Sequence, residues 1–407
     1  MSRPYTAEVT NLQTAAAAGR GVDLTQRSLL GRFAAMAKLG VRMMFHDRLK
    51  MAGTLFGVIF AVVLVDQQAG VFLGLMSKNT MFVDNAGADV WIVPAMTETL
   101  QPGKPIGISS LYQARTTPGV AWADPLLFGE ATVSLPGGGS ETVSLAGTKG
   151  PAWHGGPWNL VAGTADVLRE PEMMIFEDSQ RDQLGGLNLG SVREVNGHRA
   201  VVGGFTWGLL PFAPSYAFAD YDYARTLMKM PSDQTSFILV GAQPGVSPEA
   251  LRDAIRAKVP EQRVLTTRDF HGKIVRYLLA LTGMGFTSGI SMVVGLVVGF
   301  VIVSLSMFSA VADNIREFGT LKAIGSTNTD LAMLLLVQTT IYATLGSIVG
   351  LGLVSQMAAG MRSPKLAMAL PWPFYAGTAA LMVVLCAVAS LLPLLRLRKV
   401  EPAMVFR

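Results

Sequence analysis

Charged residues are absent from four long stretches of this chain. About 20 apolar residues cross roughly 30 Å of hydrocarbon, and backbone amides in lipid must be paired within their own segment. Each stretch is therefore expected to be a transmembrane helix, since a soluble protein could bury one such helix but not four. The stretches are 51–65 (resuming after Asp66 as 67–77), 277–312, 331–361 and 366–395.

The second stretch is longer than a membrane requires. At 1.5 Å per residue, a single helix over 277–312 would measure about 54 Å. Either this helix tilts strongly, or its first turns stand outside the bilayer as a stalk.

Between the first two spans, the pattern changes to short strands and turns. An apolar, β-rich run over 89–95 predicts a strand, and Asn196-Gly197 is typical of a two-residue hairpin turn. Ser247 is placed to cap a helix over 248–259. The segment 150–172 is expected to be a loop or insertion. Further strands are expected at 131–134 and 141–145 (joined by the Gly-rich turn 136–139), 192–194, 199–202, 236–241 and 264–266.

Together these patterns predict a membrane α-helical chain with four transmembrane helices in a 1+3 arrangement and an inserted α+β extracytoplasmic domain. The expected segments are a partly disordered cytoplasmic N-terminal extension (1–40), the first transmembrane helix with its juxtamembrane segment (41–77), the periplasmic domain (78–276), the second transmembrane helix or stalk (277–312), a cytoplasmic loop (313–330), the third transmembrane helix (331–361), a short periplasmic loop (362–370), the fourth transmembrane helix (371–395) and a cytoplasmic tail (396–407).

Charge predicts the orientation. Only 15% of the residues are charged, and the mean hydropathy is +0.41. The net charge of +5 arises outside 76–276, which is itself net acidic. Because Lys and Arg flank the first and last spans, the positive-inside rule places both termini in the cytoplasm. The basicity thus reflects topology, and no basic patch predicts a nucleic-acid partner.

The segment 313–330 (DNIREFGTLKAIGSTNTD) follows the second span on the expected cytoplasmic side. It predicts a short helix that Gly325 ends in a left-handed conformation, and Thr327 with Asp330 forms a capping box that starts the third span. One interpretation is a helix lying in the lipid interface. The other is a coupling helix that docks on a soluble motor.

The string REFGTLKAIG followed by a span resembles the signature of FtsX-like ABC permeases of the MacB and lipoprotein-releasing type, which have the type VII ABC fold. The 1+3 plan and the closing LRKVEPA are also similar, and GVIFAVVLVDQQAG and GADVWIVPA look closest to the DevC-like branch. The resemblance covers most of 39–407, strongly in the last third and loosely in the outer domain. It implies that the segment contacts an ATPase through Arg316, Glu317, Phe318, Gly319, Leu321, Lys322, Ala323 and Gly325.

The resemblance further implies a non-catalytic permease subunit. It would form a homodimer and couple ATP hydrolysis by a separate cytosolic ABC ATPase to export or extraction of a hydrophobic or amphipathic substrate by mechanotransmission. The sequence contains no GxxxxGK[ST] phosphate loop, so ATP and Mg²⁺ are expected on the partner and no cofactor on this chain. Membrane lipid is a further partner, and a periplasmic adaptor with an outer-membrane channel would complete an efflux system. The alternatives are a relay that activates a periplasmic cell-wall hydrolase, and a permease for haem or small drugs.

Asp66, Gln67 and Gln68 form a polar cluster inside the first apolar run. A carboxylate at membrane depth is costly and marks a candidate gate or substrate-contact site. The alternative is that the helix leaves the bilayer at this point. The four histidines are too widely spaced along the sequence to predict a metal site.

Two apolar features have more than one interpretation. Glycine pairs spaced by four residues, such as Gly295/Gly299 and Gly346/Gly350, predict close helix packing, either within the chain or between two copies. An apolar run in the outer domain predicts either ordinary core or a tip that contacts lipid or an adaptor. Its residues are Phe205, Trp207, Leu209, Leu210, Phe212 and Tyr216.

Overall fold

The chain forms two compact units. The helical unit comprises Met1–Asp66, Met292–Val354 and Pro371–Arg407, and the mixed unit comprises Gln67–Ser291 and Ser355–Leu370. The computed structural model describes residues 29–46, 48–101, 103–209, 214–281, 283–313, 315–323, 325–360 and 370–390. The predictions made for 1–28, for most of the 362–370 loop and for the tail beyond 390 therefore lie outside the described residues.

The helices range in length from 7 to 38 residues. They are α1 (Leu29–His46), α2 (Arg48–Asn85), α3 (Ser109–Arg115), α4 (Tyr221–Met228), α5 (Pro248–Lys258), α6 (Thr267–Leu281), α7 (Met284–Asp313), α8 (Ile315–Ala323), α9 (Asn328–Gly360) and α10 (Trp372–Ala389). Within the described part of the chain, four of them are long and apolar enough to cross a membrane: α2, α7, α9 and α10. The predicted 1+3 arrangement is confirmed.

The first span is one continuous helix that passes through Asp66 and ends only at Asn85. No proline interrupts it. At 1.5 Å per residue, its 38 residues extend over about 57 Å, well beyond the roughly 30 Å of hydrocarbon. α2 therefore contributes residues to both units, those up to Asp66 to the helical unit and those from Gln67 to the mixed unit.

The 277–312 stretch is not one helix. α6 ends at Leu281 and α7 begins at Met284, and Gly283 between them has a φ of +69°. A residue in the left-handed region interrupts a right-handed helix, and glycine adopts that region at little cost. The charge-free stretch is thus divided between the last turns of α6 and the membrane span.

Glycines bring the helices of the helical unit into close contact. A Cβ atom added at Gly299 would lie 2.4 Å from the Cβ of Ala61, and one at Gly346 would lie 2.5 Å from Cγ1 of Val58. Small residues let helix backbones approach in this way. These spaced glycines therefore serve packing within the chain.

We expect Gly346→Ala to destabilise the helical unit, because the added methyl group overlaps Val58 and overpacking costs about 1–3 kcal/mol. Gly352 lies on the same helix with open space where its Cβ would be. Gly352→Ala should therefore be neutral, or stabilising by up to about 1 kcal/mol through helix propensity. Thermal unfolding of the purified variants in detergent measures both effects. Equal midpoints would contradict the packing role of Gly346.

The mixed unit is built on a large twisted sheet. Its strands are β1 (Val90–Val93), β3 (Val120–Ser134), β4 (Ser140–Thr148), β5 (Leu160–Ala162), β6 (Met173–Glu177), β7 (Val192–Val195), β8 (His198–Thr206), β9 (Tyr216–Asp220), β11 (Phe237–Ala242) and β12 (Arg263–Thr266), while β2 (Ile106–Gly107) and β10 (Gln234–Thr235) pair separately. The order is β12-β1-β11-β3-β4-β9-β6-β8-β5, with β7 beside β3 and β8. β4–β9 and β6–β8 are parallel, and the other pairs are antiparallel.

Both predicted hairpins are present. Ser134 pairs with Ser140 across the Gly-rich turn, and Val195 pairs with His198. Asn196 and Gly197 have φ values of +48° and +83°, as a type I′ turn requires. The predicted cap of α5 also forms, since the Ser247 hydroxyl accepts a hydrogen bond from the Ala250 amide.

Helices cover both faces of the β1 end of the sheet. Val90 and Ile92 pack with residues of α3 and α5, whereas Trp91 and Val93 pack with residues of α2 and α6. Successive side chains of a strand point to opposite faces, so all four residues are buried.

The end of α2 lies in the core of the mixed unit. Phe82 is fully buried, with ring centroids 5.0 Å from Phe128, 5.4 Å from Tyr216 and 5.7 Å from Trp158. The Gly155 amide donates to the Ala86 carbonyl at 2.9 Å. The segment 150–172 is therefore more than a loop, because it contributes the edge strand β5 and packs against the end of α2.

Candidate functional site

The short helix predicted between the second and third spans is present as α8, and a glycine motif ends it. Gly325 has a φ of +105°. Its amide donates to the Lys322 carbonyl at 3.0 Å, and the Ser326 amide donates to the Leu321 carbonyl at 2.9 Å. This pair of bonds is the Schellman arrangement that closes a helix C-terminus.

A capping box starts the next helix two residues later. The Thr327 amide donates to Oδ2 of Asp330 at 2.9 Å, and the Asp330 amide donates to Oγ1 of Thr327 at 3.3 Å. The Thr327 hydroxyl also donates to Asp330 Oδ2 at 2.7 Å. These reciprocal bonds satisfy the free amides at the start of α9. α8 and α9 are consequently joined by a short corner that hydrogen bonds hold in place.

One face of α8 is buried against its neighbours. Phe318 is 2% exposed and packs, together with Leu321, against residues of α7 and α9. Gly319 is buried as well. Three residues predicted to contact an ATPase therefore lie on the inner side of the helix, where Phe318 and Leu321 anchor it. The buried neighbours are Val311, Leu331, Leu334 and Leu335.

The opposite face of α8 is open. Thr320 and Ala323 are exposed and lie three residues apart, hence on one side of the helix, and Gly325 is exposed just beyond its end. Lys322 is partly exposed. The side chains of Arg316 and Glu317 lie outside the described residues. The structure therefore brings Thr320, which was not singled out in the sequence, onto the same face as Ala323.

α1 is an element that sequence reasoning missed. Its residues up to 40 were expected to belong to an extension and those from 41 to a juxtamembrane segment, but Leu39 and Met43 pack against the cluster that holds α8. Gln338 of α9 also donates from its side chain to the Gly40 carbonyl at 3.0 Å. Leu39 and Met43 are four residues apart, which is the helical spacing that would have revealed an amphipathic helix. α8 therefore rests on three helices: α1, α7 and α9.

The three residues of the polar cluster in the first span differ in burial. Asp66 is fully buried within α2, and its Oδ1 accepts a hydrogen bond from the Thr378 hydroxyl of α10 at 2.7 Å. Gln67 and Gln68 are partly exposed. The helix continues past Asp66 to Asn85, and whether it leaves the bilayer at Asp66 stays a prediction. The role of Asp66, Gln67 and Gln68 as a gate or substrate contact also stays a prediction.

Two histidines of the mixed unit are paired with carboxylates. His154 Nδ1 lies 2.7 Å from Oδ2 of Asp124, and His271 Nδ1 of α6 lies 2.9 Å from Oδ1 of Asp84 at the end of α2. Among the described residues, no three His, Cys, Asp or Glu side chains come together to hold a metal ion. Burial raises the pKa of the Tyr216 phenol, so this residue is an uncharged member of the aromatic core.

A buried carboxylate organises the end of β8. Glu177 is fully buried. Its two oxygens accept hydrogen bonds from the Gly208 amide at 2.7 Å, the Leu209 amide at 3.0 Å, and the hydroxyls of Thr206 and Ser179, each at 3.0 Å. The Lys78 ammonium of α2 donates to the Gly208 carbonyl. We call this group the Glu177 clamp. It ties the chain after β8 to β6 and to α2.

Two family models match the chain. The model of the FtsX-like permease C-terminal region matches residues 289–402, and that of the MacB-like periplasmic core domain matches residues 51–258. No curated protein matches in a sequence search.

Solved structures of single domains or regions of other proteins are similar to part of the chain. The periplasmic region of MacB from Actinobacillus actinomycetemcomitans is 12% identical, with a TM-score of 0.37, over 47% of this chain and 95% of that one. The extracellular domain of the noncanonic ABC-type transporter YknZ from Gram-positive bacteria is 11% identical, with a TM-score of 0.33, over 44% and 98%. A permease domain from Porphyromonas gingivalis is 18% identical, with a TM-score of 0.30, over 44% and 83%.

Four spans in a 1+3 arrangement, an inserted α/β outer domain and a capped helix between the second and third spans define an ABC-type membrane permease. The chain belongs to the family of FtsX-like permeases with a MacB-like periplasmic core domain. It is a transport subunit of the bacterial inner membrane, of a class that works with an ABC ATPase. Placement in the DevC-like branch stays a prediction.

Proposed function

We propose that this chain transmits the movement of a separate cytosolic ABC ATPase to its outer domain, and thereby exports or extracts a hydrophobic or amphipathic substrate. The observation that carries the proposal is the way in which hydrogen bonds and packing hold α8 in place. One hydrogen-bonded motif ends α8 and a second starts α9, and one face of α8 is buried on α1, α7 and α9, while Thr320 and Ala323 remain exposed. A helix held in this way moves together with the spans when its outer face is pushed.

The route from the membrane to the outer domain is α2. It is unbroken from Arg48 to Asn85, and its last turns are fixed in the outer-domain core by Phe82 and Val83, both fully buried. A continuous helix embedded at its end conveys axial displacement with little loss, since packed interiors resist compression.

A second copy of the chain is part of the proposal. α7 exposes a stripe of large apolar side chains at helical spacing, which suits contact with lipid or with the second copy. A periplasmic adaptor and an outer-membrane channel would complete the path in a cell with two membranes. The exposed residues are Phe286, Ile290, Val293, Val297, Val301 and Leu305.

The proposal requires α8 to face the cytoplasm, and cysteine labelling tests this. Thr320→Cys, in a Cys386→Ala background without other cysteines, should react with a membrane-impermeant maleimide in inverted vesicles but not in intact spheroplasts. Tyr112→Cys serves as the control, because Tyr112 is 60% exposed on the outer domain and should show the reverse pattern. Labelling of Thr320→Cys from the outside would remove the contact between α8 and the ATPase, and the mechanism with it.

A further inference from the structure

One face of α1 carries two cations and an aromatic ring. Lys38, Arg42 and Phe45 are exposed, and their spacing of four and three residues puts them on the same side of the helix. Gly40 and Met44, on the opposite side, are buried. α1 is therefore amphipathic, and we call its exposed row of Lys38, Arg42 and Phe45 the basic stripe.

The cations of the basic stripe have no counter-ion in the part of the chain that the structure describes. Neither Lys38 nor Arg42 forms an ion pair with a described Asp or Glu, and the same holds for Arg48 at the start of α2. All three side chains are exposed. This surface is therefore complementary to an anionic ligand.

α9 fixes the depth of α1 within the helical unit. A Cβ atom added at Gly40 would lie 3.4 Å from the Leu334 carbonyl oxygen, and the Gln338 side chain donates to the Gly40 carbonyl. The apolar span of α9 begins at Asn328 and has 32 residues, about 48 Å, which exceeds the hydrocarbon by about 18 Å. With the excess shared between both ends, the hydrocarbon begins about six residues after Asn328, at Leu334. α1 thus packs at the boundary between hydrocarbon and headgroups.

The first span gives a similar depth for the basic stripe. This span begins at Met51, two residues after Leu49 and six after Phe45, which is about 3 Å and 9 Å of helix. The headgroup layer is roughly 5–8 Å thick. Leu49 is 85% exposed and lies on the same side of α2 as Phe56, which is 67% exposed inside the span. Phe45 and Leu49 are therefore at the level of the headgroups.

We propose that the basic stripe binds the headgroups of anionic phospholipids at the cytoplasmic end of the spans. The ligand is anionic because the cations lack a counter-ion, and Lys and Arg beside an anionic leaflet are attracted to it. It is a lipid because the stripe lies at headgroup depth and combines cations with an exposed aromatic ring, as membrane-surface helices do. The inference rests on the proposed function only for the side of the membrane.

The bound lipid would also act on α8. Leu39 and Met43, on the buried side of α1, pack in the cluster that holds Phe318 of α8. An anionic headgroup on the basic stripe would therefore fix the depth at which α8 is presented.

The experiment uses the full chain in phosphatidylcholine nanodiscs, without ATPase. Val41→Cys in the Cys386→Ala background carries a fluorophore, because Val41 is half-buried beside the stripe and its replacement leaves the stripe intact. The quencher is a nitroxide on the acyl chain of either phosphatidylglycerol or phosphatidylcholine, titrated separately. Val293→Cys is the control, since Val293 is 58% exposed on α7, where no charge precedes Asp313. Leu49→Cys is a second probe in case Val41→Cys does not fold.

We expect half-maximal quenching at position 41 at a fraction of labelled phosphatidylglycerol at least about fivefold lower than that of labelled phosphatidylcholine, as attraction to one or two cations would give. The two lipids should be equal at position 293. In Lys38→Gln/Arg42→Gln, the preference at 41 should disappear.

Three results would overturn the proposal. Equal quenching by both lipids at 41 would show no anionic preference, and no quenching at 41 or 49 would show that protein, such as a second copy of the chain, covers the stripe. A preference that survives in Lys38→Gln/Arg42→Gln would place the lipid site elsewhere. Both leaflets of the nanodisc have the same composition and no ATPase is present, so the result is independent of the orientation of the chain and of the docking of α8.

Discussion

Ala323→Arg should abolish stimulation of the partner ATPase by this chain while leaving the chain folded. Ala323 is exposed in the last turn of α8, on the side that carries Thr320. A long cationic side chain there would separate α8 from a docked protein and add positive charge beside Lys322. Disruption at the centre of an interface costs about 2 kcal/mol or more, which is a loss of roughly thirtyfold or more in affinity.

The measurement is co-purification of the ATPase and its activity in proteoliposomes. Ala257→Arg is the matched control, because Ala257 is exposed in the last turn of α5 in the outer domain. It should leave both readouts unchanged. Full ATPase binding by Ala323→Arg, in protein that unfolds at the normal temperature, would count against α8 as the docking element.

Glu177→Leu should destabilise the outer domain by about 3–5 kcal/mol. Leucine fills the space but accepts no hydrogen bond, so two amides and two hydroxyls around the Glu177 clamp lose their partner in a buried site. Each unsatisfied buried donor costs about 1–3 kcal/mol, although local rearrangement recovers part of the total. The loss should appear as an earlier unfolding transition, followed by tryptophan fluorescence of the full chain.

Glu141→Leu provides the comparison for this prediction. Glu141 is exposed near the start of β4, and a surface change of this kind is usually within about 0.5 kcal/mol. Similar unfolding of the two variants would show that the Glu177 clamp contributes nothing to the stability of the end of β8.

Local sequence patterns predicted those parts of the fold that depend on near neighbours. The four spans follow from charge-free length, the Asn196-Gly197 hairpin from two positive φ values, and the corner between α8 and α9 from Gly325 and the Thr327–Asp330 box. Each depends on residues within a few positions of one another, so a single sequence is enough to see it.

Contacts between distant residues were not predictable in the same way. Glu177 meets Gly208 across 31 positions, and Lys78 meets Gly208 across 130, with no periodicity to link them. Phe318 and Leu321 belong to the family signature, yet the packing of α1, α7 and α9 determines that they point inward. Residues of one motif can thus divide between the buried and the exposed side of a helix, and only the tertiary contacts separate the two.

Gly283 gives the two routes into the outer domain different mechanical properties. In the proposed mechanism, α2 acts as a stiff rod, because nothing interrupts its backbone between Arg48 and Asn85. The path through α7 and α6 is interrupted at Gly283, whose backbone dihedrals can change and so absorb bending that would otherwise strain the sheet. Because Gly283 lies within the mixed unit, a change of its dihedrals would alter the angle between α6 and α7 and leave the strand pairing of the sheet intact.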